Sequence, residues 1–383
     1  MAVRIALRIV RPHAWTGGVT YLLNLFRILK AHAPDIEPVM FAPPDIGPPL
    51  DRTIETTLGG QPILLRDRSH RDDMAAMIGL GEADSLAAFR AARIDLVFES
   101  MGFYGASPPF PTLSWLPDFQ HRRLPRFFTR AQWLAREARY RSVVMKRRHV
   151  LLSSHDAHAD MKAFYPSSPA EVHVAPFAIC MDKPPTFADG EAVRIARGLP
   201  ERFIFLPNQF WAHKNHKVVI AALGMMAPEE RPFIAASGQE NDPRNPGLMK
   251  GLLDALAASG ATASFKPLGH IPYSEVMALN ARADALLNPS FFEGWSTPVE
   301  EAKSLGTPLV LSNLRVHQEQ VGGDAIFFDP HDPAACAAAL RASMARPPRQ
   351  AEDVEAVVRR NLEDQRRFAG RLREAIQGTL SAS

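Results

Sequence analysis

The sequence predicts an α/β protein with two doubly wound, Rossmann-like parallel sheets, and three observations carry that prediction. Short aliphatic and β-branched runs alternate with helical stretches along nearly all of the 383 residues. The chain is longer than one hydrophobic core commonly serves. A Pro- and Gly-rich stretch with few strand signals, residues 181–200 (MDKPPTFADGEAVRIARGLP), separates two halves with the same rhythm. The expected organisation is a first domain at 1–180, a linker at 181–200, a second domain at 201–348 and a helical tail at 349–383.

In the first half, apolar runs place strands near 3–10, 38–41, 63–65, 94–99, 112–116, 150–153 and 172–176. Helices are expected near 20–31, 84–92, 130–147 and 157–164. The helix at 20–31 puts Leu22, Leu23, Leu25, Phe26 and Leu29 on its buried side. In the second half, strands are expected near 203–206, 233–236, 264–267, 285–288, 308–311 and 325–328. Helices there fall near 215–226, 246–258, 273–281, 298–305 and 333–344. The tail at 351–377 has helical composition and no strand of its own.

Composition excludes several classes. Hydrophobic content of 46%, charged content of 22% and a net charge of +3 fit a soluble globular protein. Two cysteines, Cys180 and Cys336, stand far apart, so a disulfide framework is not expected and a reducing compartment is. No apolar run approaches the roughly 20 residues that span a bilayer. The N-terminal MAVRIALRIV is interrupted by Arg4 and Arg8 and reads as a first strand, not a signal peptide. The expected location is cytoplasmic, at most peripheral at the inner face of a membrane.

The most informative segment is NPSFFEGWSTPVEEAKSLGTPLVLSN, residues 288–313. It sets Glu293 and Glu301 eight positions apart across a loop-to-helix junction. Thr297 suits an N-cap, Pro298 the first helical position and Glu300 the third position of a capping box. Gly306-Thr307-Pro308 ends the helix and starts the next strand. Backbone N–H groups around Gly294, Trp295, Ser296 and Thr297 would face the crevice at the strand's carboxyl end, where anions, phosphate above all, are favoured. A carboxylate on each side of a phosphate site suggests a ligand carrying both phosphate and hydroxyls, a nucleotide-sugar.

This segment resembles the donor-site signature of retaining glycosyltransferases of family 4: two glutamates separated by seven residues, followed by a small-residue turn such as Gly-Thr-Pro. The match continues through Glu319 and Gly323-Asp324-Ala325 to Phe328-Asp329-Pro330, and weaker resemblance covers nearly the whole chain. The resemblance implies the GT-B architecture, two such domains facing a cleft with the last helix crossing back to the first. It implies that Glu301 binds the ribose hydroxyls and Glu293 hydroxyls of the donor sugar. It also implies retention of configuration, the departing phosphate oxygen taking the acceptor proton. The expected partners are a nucleotide-sugar co-substrate and a glycan or lipid-linked acceptor, in bacterial cell-surface polysaccharide assembly.

Other positions are read beside that resemblance. Lys214, in FLPNQFWAHKNH, is a credible anion-binding residue at a strand exit. The family places an arginine five residues before it, where this chain has Gln209, so His213, Asn208 and backbone amides are expected to compensate, or the phosphates are held differently. Gly17-Gly18 follows the first strand as a plain turn or, by the resemblance, as a loop approaching the donor phosphates. Asp118 matches the second member of a His-Asp pair facing the acceptor in relatives, and His121 stands three residues on. Asp118 also suits a simple turn. Backbone at Gly269, after the strand at 264–267, meets the nucleotide base in relatives. Ser154 reads as a helix cap.

Residues 121–149 hold ten Lys and Arg against one acid, Glu137, with Phe127, Phe128, Trp133 and Tyr140 interleaved. That suits an anionic membrane surface, a phosphate-bearing acceptor, or a solvated charged helix. No recognised nucleic-acid module accompanies it. The histidines show no paired ligand spacing, so neither a metal site nor a cofactor is expected. Two other functions compete: a nucleotide-sugar epimerase of the same architecture, and a non-catalytic relative that binds a sugar or a protein partner.

Overall fold

The computed structural model describes residues 2–9, 16–44, 46–47, 50–67, 69–77, 83–100, 103–105, 107–146, 148–181, 183–242, 244–351 and 354–382. They group into two compact units. Unit 1 takes Met1–Arg122, Arg130–Cys180 and Leu362–Ser383; unit 2 takes Arg123–Thr129 and Met181–Asn361.

Unit 1 runs β1 (Val3–Arg8), α1 (Thr16–His32), β2 (Ile36–Ala42), α2 (Leu50–Leu58), β3 (Ile63–Leu64), α3 (His70–Met77), α4 (Ala83–Ala91), β4 (Leu96–Glu99), β5 (Thr112–Leu116), α5 (Gln120–Arg123), α6 (Arg130–Val144), β6 (His149–Leu152), α7 (His155–Phe164) and β7 (Glu171–Val174). The strands form one parallel sheet in the order β3-β2-β1-β4-β5-β6-β7. Its core is aromatic. Tyr21 of α1 stacks on Trp115 of β5, centroids 3.8 Å apart, and Trp115 donates its indole N–H to Ser153 Oγ at 2.9 Å.

Unit 2 continues with α8 (Phe187–Ala196), β8 (Ile204–Leu206), α9 (His216–Met225), β9 (Ile234–Ala236), α10 (Leu248–Ala258), β10 (Phe265–Pro267), α11 (Tyr273–Arg282), β11 (Ala285–Asn288), α12 (Thr297–Ser304), β12 (Leu309–Ser312), α13 (Arg315–Val321), β13 (Ile326–Phe328) and α14 (Pro333–Met344). Its parallel sheet has the order β10-β9-β8-β11-β12-β13. Alternate residues along β8 and just before it serve opposite faces: Ile204 and Leu206 join Val219, Leu223 and Leu340, while Phe203 and Phe205 join Leu279 and Ile271. Burial on both faces is why these strands read as unbroken apolar runs. Both sheets reverse strand order beside their first strand, between β1 and β4 and between β8 and β11; such switch points open ligand crevices at the carboxyl ends. A last helix, α15 (Val354–Ser381), gives its opening residues to unit 2 and everything from Leu362 onward to unit 1.

Each expected strand is present, and the two-sheet class stands. Four features differ. The stretch expected as a linker contains α8, which belongs to unit 2. Thr186 caps it, accepting from Asp189 N at 3.1 Å while Asp189 accepts from Thr186 N at 2.8 Å. Gly190 lets α8 approach α11, since a Cβ there would lie 2.3 Å from Ala278 O. A helix whose one fully buried residue is a glycine carries little apolar periodicity to read. Helices α2, α3, α5 and α13 are likewise absent from the sequence expectation. The first helix starts at Thr16, so Gly17 and Gly18 lie in its opening turn, not in a loop before it. Finally, the cap of α12 is Ser296, without a side-chain capping bond. That cap makes Val299 the third helical residue, so Glu300 stands one position too far on to complete a capping box; its carboxylate takes Lys303 Nζ at 2.7 Å and Gln320 Nε2 at 2.9 Å.

Candidate functional site

Strand β11 ends at Asn288, and the chain then turns through Pro289 and Ser290 toward α12. Asn288 is fully buried and organises that turn. Its Oδ1 accepts from Ser290 N at 3.2 Å and lies 2.6 Å from Ser290 Oγ; its Nδ2 donates to Ser296 Oγ at 2.7 Å and to Glu293 Oε1 at 3.3 Å. From the neighbouring strand, Asn208 donates to Asn288 Oδ1 at 3.3 Å. The exits of β8 and β11 are thus joined through buried amides.

Lys214 reaches Glu293 from the β8 side, Nζ to Oε1 at 2.7 Å, and Ser290 Oγ donates to the same oxygen at 2.6 Å. Asn215 holds Lys214 in place. It adopts the left-handed conformation at φ 58° and donates Nδ2 to Pro330 O at 2.8 Å and Pro289 O at 3.1 Å. Burial acts to raise the Glu293 carboxyl, but the Lys214 ammonium, His317 and the hydrogen bonds from Lys214 and Ser290 outweigh it and hold the group down at about 2. Glu293 is therefore ionised at neutral pH. Glu301 contrasts with it. Burial pushes its carboxyl up to about 7, opposed by a hydrogen bond from Tyr273.

Burial, with Lys214 second, depresses His213 to about 3. It stays neutral at physiological pH and cannot supply the positive charge absent at Gln209, whose buried Oε1 has no hydrogen-bond partner. The amides near the start of α12 are also partly used, since Ser296 N donates to Gln320 Oε1 at 3.3 Å. Trp295 keeps its buried indole N–H without a partner. Gly269 adopts φ +65°, and its carbonyl accepts from Gly238 N at 2.9 Å.

Several contributors had no distinct signal in the sequence. Asn288, Ser290, Ser312, His317 and Gln320 are common core and turn residues until the fold gathers them. His317 places Nδ1 2.8 Å from Ser312 O; a carbonyl only accepts, so Nδ1 carries the proton and buried Nε2 offers a lone pair. Gly238 is required because a Cβ would meet Asn208 O at 2.6 Å.

Asp118 and His121 belong to unit 1. Asp118 Oδ1 accepts from Gln120 N at 2.8 Å and Arg136 Nη2 at 2.6 Å. His121 is fully buried, its Nε2 3.1 Å from Glu137 Oε2, which also accepts from Tyr165 OH at 2.8 Å. Burial and the Arg136 guanidinium push His121 down to about 4. The basic stretch divides. Arg148 pairs with Glu99 at 3.0 Å, Arg136 with Asp118, Arg139 donates to Ser100 O and Arg122 to Phe164 O. Arg123, Arg126, Arg130, Arg141 and Lys146 are exposed, and Arg147 lies outside the described residues. Among the described residues no helix is long and apolar enough to cross a membrane.

Two doubly wound parallel sheets with a last helix shared between the units define the GT-B class of fold. Residues 193–360 match the family described as "Glycosyl transferases group 1", and this range holds Lys214, Glu293, Glu301 and the residues that surround them. The O-antigen chain mannosyltransferase B of Escherichia coli is 38% identical over 77 residues, 20% of this chain and 20% of that protein, so the match spans about a fifth of this curated relative. Among solved structures, sucrose-phosphate synthase from Thermosynechococcus elongatus aligns with 99% of this chain and 95% of its own, at TM-score 0.67 and 15% identity. The Anabaena protein HepE, solved with UDP and glucose, aligns over 100% of both chains at TM-score 0.66 and 16% identity.

Proposed function

We propose that this protein is a retaining glycosyltransferase that moves a sugar from a nucleotide-sugar to a glycan or lipid-linked acceptor in cell-surface polysaccharide assembly. The observation that carries the reading is the Lys214–Glu293 pair at the β8–β11 switch point, inside the region matching group 1 glycosyl transferases. UDP and glucose in a structural neighbour and the O-antigen role of a sequence relative point the same way.

In this reading the donor lies on unit 2. Ionised Glu293 accepts hydrogen bonds from sugar hydroxyls. Lys214 directs a remaining N–H toward the diphosphate and stabilises charge growing on the leaving group, without a divalent ion. Glu301 binds the ribose hydroxyls, and backbone at Gly269 meets the base. The acceptor is assigned to unit 1, where Asp118 and His121 hold the β5 exit in shape. Front-face attack retains configuration, and the departing phosphate oxygen takes the acceptor's proton.

Thermal unfolding with UDP, GDP, dTDP and ADP tests the donor site, each run compared with its own nucleotide-free control, with and without EDTA. Nucleotide at about 100 times its dissociation constant should stabilise by roughly 2.7 kcal/mol. A shift with one nucleotide that persists in EDTA is the expected result. No shift with any of the four would remove the donor assignment and favour a non-catalytic relative.

A further inference from the structure

Away from the site just described, the fold gathers two histidines and a carboxylate that the sequence scatters. His149 opens β6 and Glu171 opens β7, directly opposite each other in the parallel register, and His173 lies two residues on. Residues two apart share a face of the sheet, so all three side chains stand together. His149 Nδ1 and His173 Nε2 are 3.1 Å apart; Glu171 offers Oε2 at 3.8 Å from the first and Oε1 at 3.7 Å from the second. A tetrahedral ion with metal–nitrogen bonds of about 2.0–2.1 Å holds its ligand atoms roughly 3.3 Å apart, close to this spacing.

The covering helix leaves room at the same point. Gly378 of α15 faces the cluster: a Cβ there would lie 3.3 Å from His173 Cε1, 3.7 Å from Glu171 Oε1 and 3.8 Å from His173 Nε2. Glycine weakens a helix interior, yet here it keeps a niche open beside two ligand atoms. Glu374 lies one turn earlier on the same helix face, exposed, and its charge reaches His173. His149 is 8% exposed, whereas the Glu171 side chain is 61% exposed and leaves a path from solvent.

We propose that His149, Glu171 and His173 bind a borderline divalent transition-metal ion, Zn2+ being the type, with Glu374 or water as fourth ligand. The donor set, two imidazoles and a carboxylate, suits zinc better than magnesium or calcium, which prefer oxygen alone. Bound metal would staple β7, the last strand of this sheet, to β6 and to α15.

The test uses the full chain, stripped with chelator and dialysed free of it, then titrated with ZnCl2 by calorimetry and with Co2+ by visible spectroscopy. One ion per chain, a tetrahedral Co2+ spectrum and a Zn2+-dependent rise in unfolding temperature are expected. His173→Ala should abolish the spectrum. Glu171→Gln, at an exposed position that folding tolerates, should weaken binding about tenfold or more. No saturable binding, or binding unchanged in both variants, would overturn the site and leave a hydrogen-bonded histidine pair.

Discussion

The strand exits of unit 1 and unit 2 use the same kinds of residue for different ends. In unit 2, Lys214, Asn288 and Ser290 converge on a single carboxylate oxygen of Glu293, and the ion pair sits where a ligand crevice is expected. In unit 1, Asp118 and His121 have inward partners, Arg136 and Gln120 for one and Glu137 for the other. A charged pair held with spare donors is poised for a ligand; one closed on backbone and neighbouring helices is poised for shape. The difference teaches that sequence position after a strand nominates a residue, while hydrogen-bond inventory decides its use.

The largest effect should come from Lys214. Lys214→Ala is expected to lower turnover by about 100- to 1000-fold, the size seen when one preorganised charge-stabilising donor is lost. The substitution also strands Glu293, a buried carboxylate, which costs on the order of 3–5 kcal/mol. A double variant, Lys214→Ala with Glu293→Gln, should recover much of the stability and none of the turnover. Initial rates beside denaturant midpoints separate the two. A single variant with undiminished rate would take Lys214 out of the donor site.

Glu301 offers a medium effect with a defined sign. Its carboxyl is raised to about 7, above its ordinary 4.5, so the folded state binds the proton more tightly than the unfolded chain. The stability this gives is whole below about 4.5 and is lost as pH climbs through about 7; at 1.36 kcal/mol per unit the span is roughly 3 kcal/mol. Ribose hydroxyls donate to the ionised form, so nucleotide affinity should rise between about pH 6 and about pH 8 while apo stability falls. Glu301→Gln should flatten both trends. Calorimetric titration across that range checks it, and an affinity that falls with pH would contradict ribose binding by the carboxylate.

Much of this was readable beforehand, for physical reasons. Strands buried on both faces leave continuous apolar runs, so 285–288 and 309–311 announced themselves, and the Glu293–Glu301 spacing with its Gly-Thr-Pro turn nominated a candidate site between them. Helix α8 did not, because its contact with α11 rests on the absence of a side chain at Gly190. The state of the site was also hidden. Nothing in the string distinguishes Glu293 from Glu301, yet Lys214 holds one ionised while burial leaves the other near neutrality. His149, Glu171 and His173 escaped because cross-strand register, not sequence spacing, brings them together.

The smallest expected effect bears hardest on the contrast between the units. Asp118→Asn keeps an Oδ1 that can accept from Gln120 N and from Arg136, and removes only the charge. Arg136 and Asp118 are both partly exposed, so losing their ionic attraction should cost about 1 kcal/mol or less. If Asp118 only shapes the β5 exit, the acceptor KM and kcat should each stay within about threefold of the parent. If instead its carboxylate orients the acceptor hydroxyl, kcat should fall tenfold or more at unchanged stability, an effect of the size attributed to acid–base groups. Steady-state kinetics over acceptor concentration, paired with a thermal melt, tells these apart. The inward geometry of both Asp118 contacts makes the first outcome the expected one, which would confine charge-dependent chemistry to the unit that holds Lys214 and Glu293.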